Sequence, residues 1–187
     1  MKEINIPHLP FYFIRHGETD WNLAHKLMGQ KDIELNDKGF DQAYTAAYVL
    51  AEEETNKIFA SPLKRAKETG EIIANVCELE LEIINDLKER NWGSLEGNNH
   101  YNELSFLTND NLPPDGEKYL DFETRIIEGT RKALLSEYGY PVIVSHGGVF
   151  KVLAHLLTGR KNIDCPNCKI LLFTPSSIDN KWEIIDI

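Results

Sequence analysis

Basic residues are scarce in this sequence, and the shortage is uneven. Across 187 residues there are 20 Lys and Arg against 30 Asp and Glu, a formal charge of −10, and between Asn91 and Glu117 there is no Lys or Arg at all. A chain so acidic is not built to hold a nucleic-acid backbone, which is gripped by clustered Lys and Arg. Any phosphate-bearing ligand must find a local positive pocket. Long apolar runs are missing too: nothing approaches the roughly 18 uninterrupted apolar residues that a membrane span requires, and the start from Met1 to Pro7 lacks a signal-peptide core. A cytoplasmic protein that binds neither membrane nor nucleic acid is expected. Cysteine is nearly absent, with three residues, of which Cys165 and Cys168 form one C-x-x-C pair. Zinc would need two further ligands at matching spacing, and a redox pair would open a helix near the front of a βαβ unit. Pro166 and Asn167 read instead as a turn, so a structural role is expected for both thiols. The sequence also lacks G-x-S-x-G, G-x-x-x-x-G-K-[ST] and H-E-x-x-H, the signatures of acyl-transfer triads, nucleotide cradles and zinc proteases.

What is present is ordinary in bulk, with 42% hydrophobic and 27% charged residues, which suits one domain over residues 1–187. Leu9 to Ile14 is a continuous apolar run ending at Arg15-His16-Gly17, the pattern of a strand buried on both faces. Apolar residues from Phe40 to Ala51 recur at helical spacing behind the cap candidates Asn36 and Asp37. Lys57 to Ala60 reads as a short strand, and Ser61-Pro62 as the start of a helix, with a capping hydroxyl and proline at the first helical position. Strict alternation from Glu78 to Ile83 predicts a strand near a sheet edge. Asn91 to Gly116 has little period and reads as a long loop or irregular insertion. A helix from Glu117 to Glu137, with Leu120, Ile127 and Leu134 on one side, precedes the apolar run Pro141 to Ser145. His146-Gly147-Gly148 then feeds another helix, and late strands are expected near Lys169 to Phe173 and Trp182 to Ile185. Strands separated by helices of this length predict an α/β fold: a three-layer αβα sandwich with a mostly parallel central sheet and helices on both faces.

Ligands of such sheets bind at the carboxyl ends of the strands. Three expected strand ends carry polar residues of one kind: Arg15-His16-Gly17, Ser61-Pro62 with Arg65 beyond, and His146-Gly147-Gly148. Arg65, in the first turn of its helix, would tilt back over the strand end. Gly147 and Gly148 would present backbone N–H groups to an anion. His16 and His146 also fit a metal site, but Arg15 and Arg65 oppose it, because fixed positive charges repel a divalent cation and stabilise a phosphate. No metal and no cofactor are expected.

These residues resemble the histidine phosphatase superfamily, which includes cofactor-dependent phosphoglycerate mutases and small-molecule phosphatases. Arg15-His16-Gly17-Glu18-Thr19 with Trp21-Asn22 is similar to its first motif, and Ser61-Pro62-Leu63-Lys64-Arg65-Ala66 with Thr69 to its second. Leu87-Lys88-Glu89-Arg90 with Trp92-Gly93 is similar to the acid/base motif, and Ser145-His146-Gly147-Gly148 to the last. The resemblance implies that His16 attacks phosphorus, its other ring nitrogen donating to a carbonyl such as that of Gly17. It implies that Arg15, Arg65, Asn22 and His146 hold the phosphoryl oxygens, and that Glu89 is general acid and then base. Gly17, Thr19, Gly147 and Trp92 are further candidates for contact with substrate. From position alone Glu89 reads rather as a solvated charge or a partner for Arg90, and it is the adjoining match with Trp92-Gly93 that favours catalysis. The family's mutases carry Tyr where Trp92 stands, Lys where His100 falls and a basic pair beyond. These departures favour hydrolysis of a small phosphorylated metabolite over a mutase, and the presence of His16, Glu89 and the arginines argues against an unreactive phosphate-binding module.

Overall fold

The computed structural model describes residues 6–99, 107–135, 139–161, 163–176 and 181–187. Six strands form one sheet: β1 (Phe11–Arg15), β2 (Thr55–Ala60), β3 (Leu81–Ile83), β4 (Tyr140–Ser145), β5 (Ile170–Pro175) and β6 (Trp182–Asp186), in the order β3-β2-β4-β1-β5-β6. β1, β4, β2 and β3 pair in parallel, while β5 is antiparallel to both β1 and β6. The expected α/β sandwich is the fold observed, with its antiparallel hairpin confined to one side.

Alternation along the strands explains the layers. Phe11, Phe13, Phe59 and Ile143 point to one face, where they pack with Phe122 and Ile126 of α4 (Tyr119–Leu134) and Phe150 and Leu153 of α5 (Gly147–Thr158). Tyr12, Ile14, Ile58 and Val142 point to the other, against Ala43 and Leu50 of α2 (Asp37–Leu50) and Ile73 of α3 (Lys64–Cys77). Both faces are buried, so the central strands are apolar throughout rather than alternating in polarity.

Several boundaries differ from the expectation for physical reasons. Ser61 and Pro62 do not open α3; Leu63 is its N-cap, and the Lys64 N–H is taken by Asp32 Oδ1 at 2.6 Å. The Ser61 hydroxyl is engaged across the sheet with His146, as described below. The alternating run from Glu78 is a strand only from Leu81, because Glu78 adopts the left-handed conformation (φ 55°) that ends α3, and Leu79 N–H returns to Ala74 O. β3 is an edge strand, as its alternation predicts. Leu120 is 54% exposed; the inner face of α4 is carried by Phe122, Ile126 and Ala133 together with the expected Leu134, and Ile127 packs against its edge. His100 and the expected helix end at Glu137 lie outside the described residues. Among the described residues no helix is long and apolar enough to cross a membrane. A short helix α1 (Asp20–Leu23) bridges β1 and α2.

The N-terminus of α2 is pressed onto the chain leaving β1. Asn36 Oδ1 caps Gly39 N–H at 2.8 Å, and a Cβ on Gly39 would fall under 3.0 Å from the Glu18 carbonyl oxygen. Alanine in place of a helical glycine ordinarily stabilises by about 0.5–1 kcal/mol. Here the clash is with backbone, and Gly39→Ala is expected to destabilise by about 1–3 kcal/mol, read as a lower urea midpoint at unchanged slope.

Candidate active site

The carboxyl ends of three parallel strands lie side by side at the centre of the sheet, with Arg15 opposite Ser145 and Ala60 opposite Val144. The chain leaves β1 toward the α2 face and leaves β4 into α5 on the opposite face. A crevice must open between them. It is a cavity of about 220 Å³ whose walls include Arg15, His16, Arg65, Glu89, Gly147 and Lys151, with Leu27, Met28 and Trp92 also lining it.

His16 is 2% exposed, and its Nδ1 stands 2.7 Å from the Gly17 carbonyl oxygen. A carbonyl can only accept, so Nδ1 carries the proton. On the other side of the ring Nε2 accepts from Arg65 Nε at 3.2 Å. Both contacts select one neutral tautomer, with its lone pair on Nε2. Burial first, then the guanidiniums of Arg65 and Arg15, lower the pKa of His16 well below the ordinary histidine value.

The groups around it are held by backbone. Gly17 N–H donates to Thr69 Oγ1 at 3.0 Å, and that hydroxyl donates to Arg65 O at 2.7 Å, tying β1 to the first turns of α3. Arg65, the second residue of α3, reaches back as expected and gives Nη1 to Lys31 O and Nη2 to Gly29 O, both at 2.8 Å. Arg15 Nη1 donates to Cys165 O at 2.9 Å, while its buried Nε has no hydrogen-bond partner among the described residues. Such a donor is costly to leave unmet and suits an incoming anion.

Glu89 is 8% exposed, and each carboxylate oxygen accepts one backbone N–H: Oε1 from Arg90 at 2.8 Å and Oε2 from Gly148 at 2.9 Å. This revises the part expected of the two glycines. Gly147 lines the cavity, but the Gly148 N–H at the start of α5 is occupied by Glu89, so the anion at that helix terminus is a side chain of the protein. His146 is the N-cap of α5 and fully buried; its Nε2 is 2.8 Å from Ser61 Oγ, and its ring centroid is 5.3 Å from that of His16. It stands behind His16 and is not part of the cavity lining. Burial, Arg65 and His16, then Arg125 and Arg15, lower its pKa well below the ordinary value.

Trp92 is fully buried on the cavity wall, with the Arg90 guanidinium 4.5 Å from its ring centroid. The remaining candidates do not reach the cavity. Thr19 and Asn22 form the capping box of α1, with Asn22 N–H donating to Thr19 Oγ1 at 3.1 Å and Thr19 N–H to Asn22 Oδ1 at 3.2 Å. Gly17 is enclosed against Gly39. Cys165 and Cys168 are free and buried, and burial pushes both thiols up to about 12. They are inert thiols, and it is the Cys165 carbonyl that meets Arg15. Among the described residues no three His, Cys, Asp or Glu side chains stand close enough to share a metal ion.

Two residues escaped the sequence reading. Arg125 of α4 donates to the carbonyls of Asp86, Lys88 and Glu89 at 2.7, 2.6 and 2.8 Å and pairs with Glu117 at 2.7 Å, so it clamps the segment that carries Glu89. Lys151 joins the cavity wall from α5. Its signal was its spacing, four residues beyond Gly147 and so on the same helical face.

Residues 11–181 match the sequence profile of the histidine phosphatase superfamily, branch 1. The chain belongs to this superfamily. It is 36% identical over 180 residues to an uncharacterized phosphatase, PhoE, of Bacillus subtilis, covering 92% of this chain and 91% of that one. It is 32% identical over 178 residues to the probable phosphoglycerate mutase GpmB of Erwinia tasmaniensis, covering 87% and 83%. In fold it is similar to mycobacterial glucosyl-3-phosphoglycerate phosphatase, with a TM-score of 0.78 at 22% identity over 95% of this chain and 96% of the other. Within this superfamily member, sequence and geometry converge on one pocket built around a neutral histidine.

Because burial depresses both histidines, the unfolded chain binds protons that the folded one refuses. Their contribution to stability is fully present above the unfolded value of about 6.5 and is lost as pH falls below it. Stability should therefore fall between pH 7.5 and 5.5 in phosphate-free buffer, by on the order of 1 kcal/mol for each histidine. Urea midpoints at the two pH values measure this, and a His16→Asn, His146→Gln double variant should show a flatter dependence.

Proposed function

We propose that this chain hydrolyses a small phosphorylated metabolite, a phosphomonoester, in the cytoplasm through a phosphohistidine formed on His16. The observation that carries the reading is the fixed tautomer: Nδ1–H bonded to Gly17 O and the Nε2 lone pair beside Arg65, at the wall of a cavity that Arg15 also lines. A nucleophile needs that lone pair, and a protonated imidazole has none.

In the first half-reaction Nε2 attacks phosphorus as the bond to the leaving oxygen breaks. The Arg65 Nε–H that caps Nε2 turns to an incoming phosphoryl oxygen, and the buried Arg15 Nε supplies a second donor. Their positive charge balances the equatorial oxygens in the transition state. Glu89 enters the cycle protonated, having drawn that proton from solvent or from the bound ester, and gives it to the leaving alkoxide. As a carboxylate it then takes a proton from water, whose oxygen attacks phosphorus and displaces His16, releasing inorganic phosphate. One carboxyl group serves both steps because the alcohol departs from the position that water next occupies. His146, held by Ser61, supports the ring of His16 from behind. Hydrolysis is favoured over mutase chemistry by the absence of Lys and Arg between Asn91 and Glu117, where a mutase would grip the second charge of its intermediate.

p-Nitrophenyl phosphate should be hydrolysed at undiminished rate in excess chelator, and His16→Ala should lower kcat at least about a thousandfold with an unchanged circular dichroism spectrum. Full activity in that variant, or a strict metal requirement, sinks the mechanism. Glu89→Gln should slow glycerol 3-phosphate about 10²–10⁴-fold while sparing the first-turnover burst of nitrophenolate, since an activated leaving group needs little protonation. Equal loss in both assays removes Glu89 from the acid role.

A further inference from the structure

The backbone carbonyl of Glu89 is held from two sides. Arg125 Nη2 reaches it from α4 at 2.8 Å, and Gln30 Nε2 reaches it at 3.0 Å from the loop that follows α1. That loop is already in register with the phosphoryl site, because the carbonyls on either side of Gln30, those of Gly29 and Lys31, are the acceptors that fix the Arg65 guanidinium. Gln30 thus stands between the group that meets the phosphoryl oxygens and the segment that carries the acid.

What holds Gln30 is Glu96. Its Oε1 accepts the Gln30 N–H at 2.9 Å and the Trp92 N–H at 3.1 Å, so one oxygen joins the loop to the chain just beyond Glu89. Bonds to a carboxylate are stronger than those to a neutral acceptor, and two on one atom leave little play between their donors. The approach is close. Gly29 has φ 51°, and a Cβ there would fall under 3.0 Å from the same Oε1, so the loop carries glycine where the carboxylate must come near. The two segments do not need Glu96 to stay together. Leu27 N–H donates to Asn98 O at 2.9 Å, Gly97 N–H donates to Leu27 O at 2.7 Å, and Leu27 packs with Trp92. Neither Glu96 nor Gln30 lines the cavity.

We propose that Glu96 is a positioning residue: through Gln30 it sets where Glu89 stands relative to Arg65, and so whether the acid meets the leaving oxygen. It touches no substrate. The proposal rests on the phosphomonoesterase reading above and adds the device that keeps acid and phosphoryl group at a fixed span.

Two readouts separate the placement of Glu89 from a general loss of structure. Steady-state turnover of glycerol 3-phosphate needs the acid, whereas the first-turnover burst from p-nitrophenyl phosphate needs His16 and the arginines but little protonation. Glu96→Leu should lower kcat for glycerol 3-phosphate about 10- to 100-fold, the range that a misplacement of about 1 Å can cost. KM for that substrate and the burst rate should each stay within about threefold of wild type. Glu96→Gln, which keeps an oxygen for both N–H groups, should recover most of the loss. In the Glu89→Gln background, where no acid is left to place, Glu96→Leu should cost less than about threefold. Gln30→Met keeps the backbone N–H for Glu96 and removes only the amide that reaches Glu89; it should reproduce the selective loss, and it carries the test if Glu96→Leu fails to fold. Wild-type turnover of glycerol 3-phosphate in Glu96→Leu or in Gln30→Met overturns the proposal. So do equal losses in the two assays, an undiminished loss in the Glu89→Gln background, or a Glu96→Gln variant as slow as Glu96→Leu. Wild-type protein inactive on both substrates would fail the phosphomonoesterase reading itself, and the proposal with it. Thermal unfolding of each variant checks that the fold is kept.

Discussion

The hydrogen bond from His16 Nδ1 to the Gly17 carbonyl is the constraint on which the site depends. An imidazole free to exchange tautomers would offer a lone pair at Nε2 only part of the time, and one free to rotate would not hold it in line with a leaving group. The bond is local, yet its position is set at long range. The Gly17 backbone is pinned by Thr69 from α3 and backed by Gly39 from α2, with no side chain between the two glycines. The first turns of two helices on one face of the sheet thus decide which ring nitrogen of a histidine on β1's end can react.

The arginines are held in a way that preserves their charge. Arg15 is fixed by the Cys165 carbonyl and Arg65 by those of Gly29 and Lys31. Neutral acceptors satisfy guanidinium N–H groups and lock geometry without cancelling the positive field, whereas a carboxylate partner would neutralise what a phosphate needs to meet. Arg125 shows the contrast. It pairs with the Glu117 carboxylate and gives its other N–H groups to three carbonyls of the Glu89 segment, a positioning task in which residual charge is of less use. Burial first, and then this same field, lowers the pKa of both histidines, since a proton added to either would lose its hydration and sit among like charges.

The parallel core was legible because a strand buried on both faces leaves an unbroken apolar run, and three such ends carried Arg, His, Ser or Gly. That pattern brought His16, Arg15, Arg65 and His146 together before any contact was known. Local chemistry misled where a tertiary partner outbid it. Ser61 looked like the cap of α3, but its hydroxyl is 2.8 Å from Nε2 of the buried His146 and accepts only the Leu63 N–H, at 3.3 Å, ahead of the helix. Thr19 and Asn22, candidates for substrate contact, form the capping box of α1 and do not line the cavity. Arg125 and Lys151 could not be ranked above other charged residues, because their meaning lies in which distant segment folds against them.

Where Glu89 sits bears on the choice between transfer to water and transfer to a second sugar oxygen. Its carboxylate bonds the Gly148 N–H at the start of α5, a rigid helix. A cation on a loop can cover the phosphoenzyme, retaining the intermediate and keeping water out. The segment 91–117 holds no Lys or Arg with which to do so.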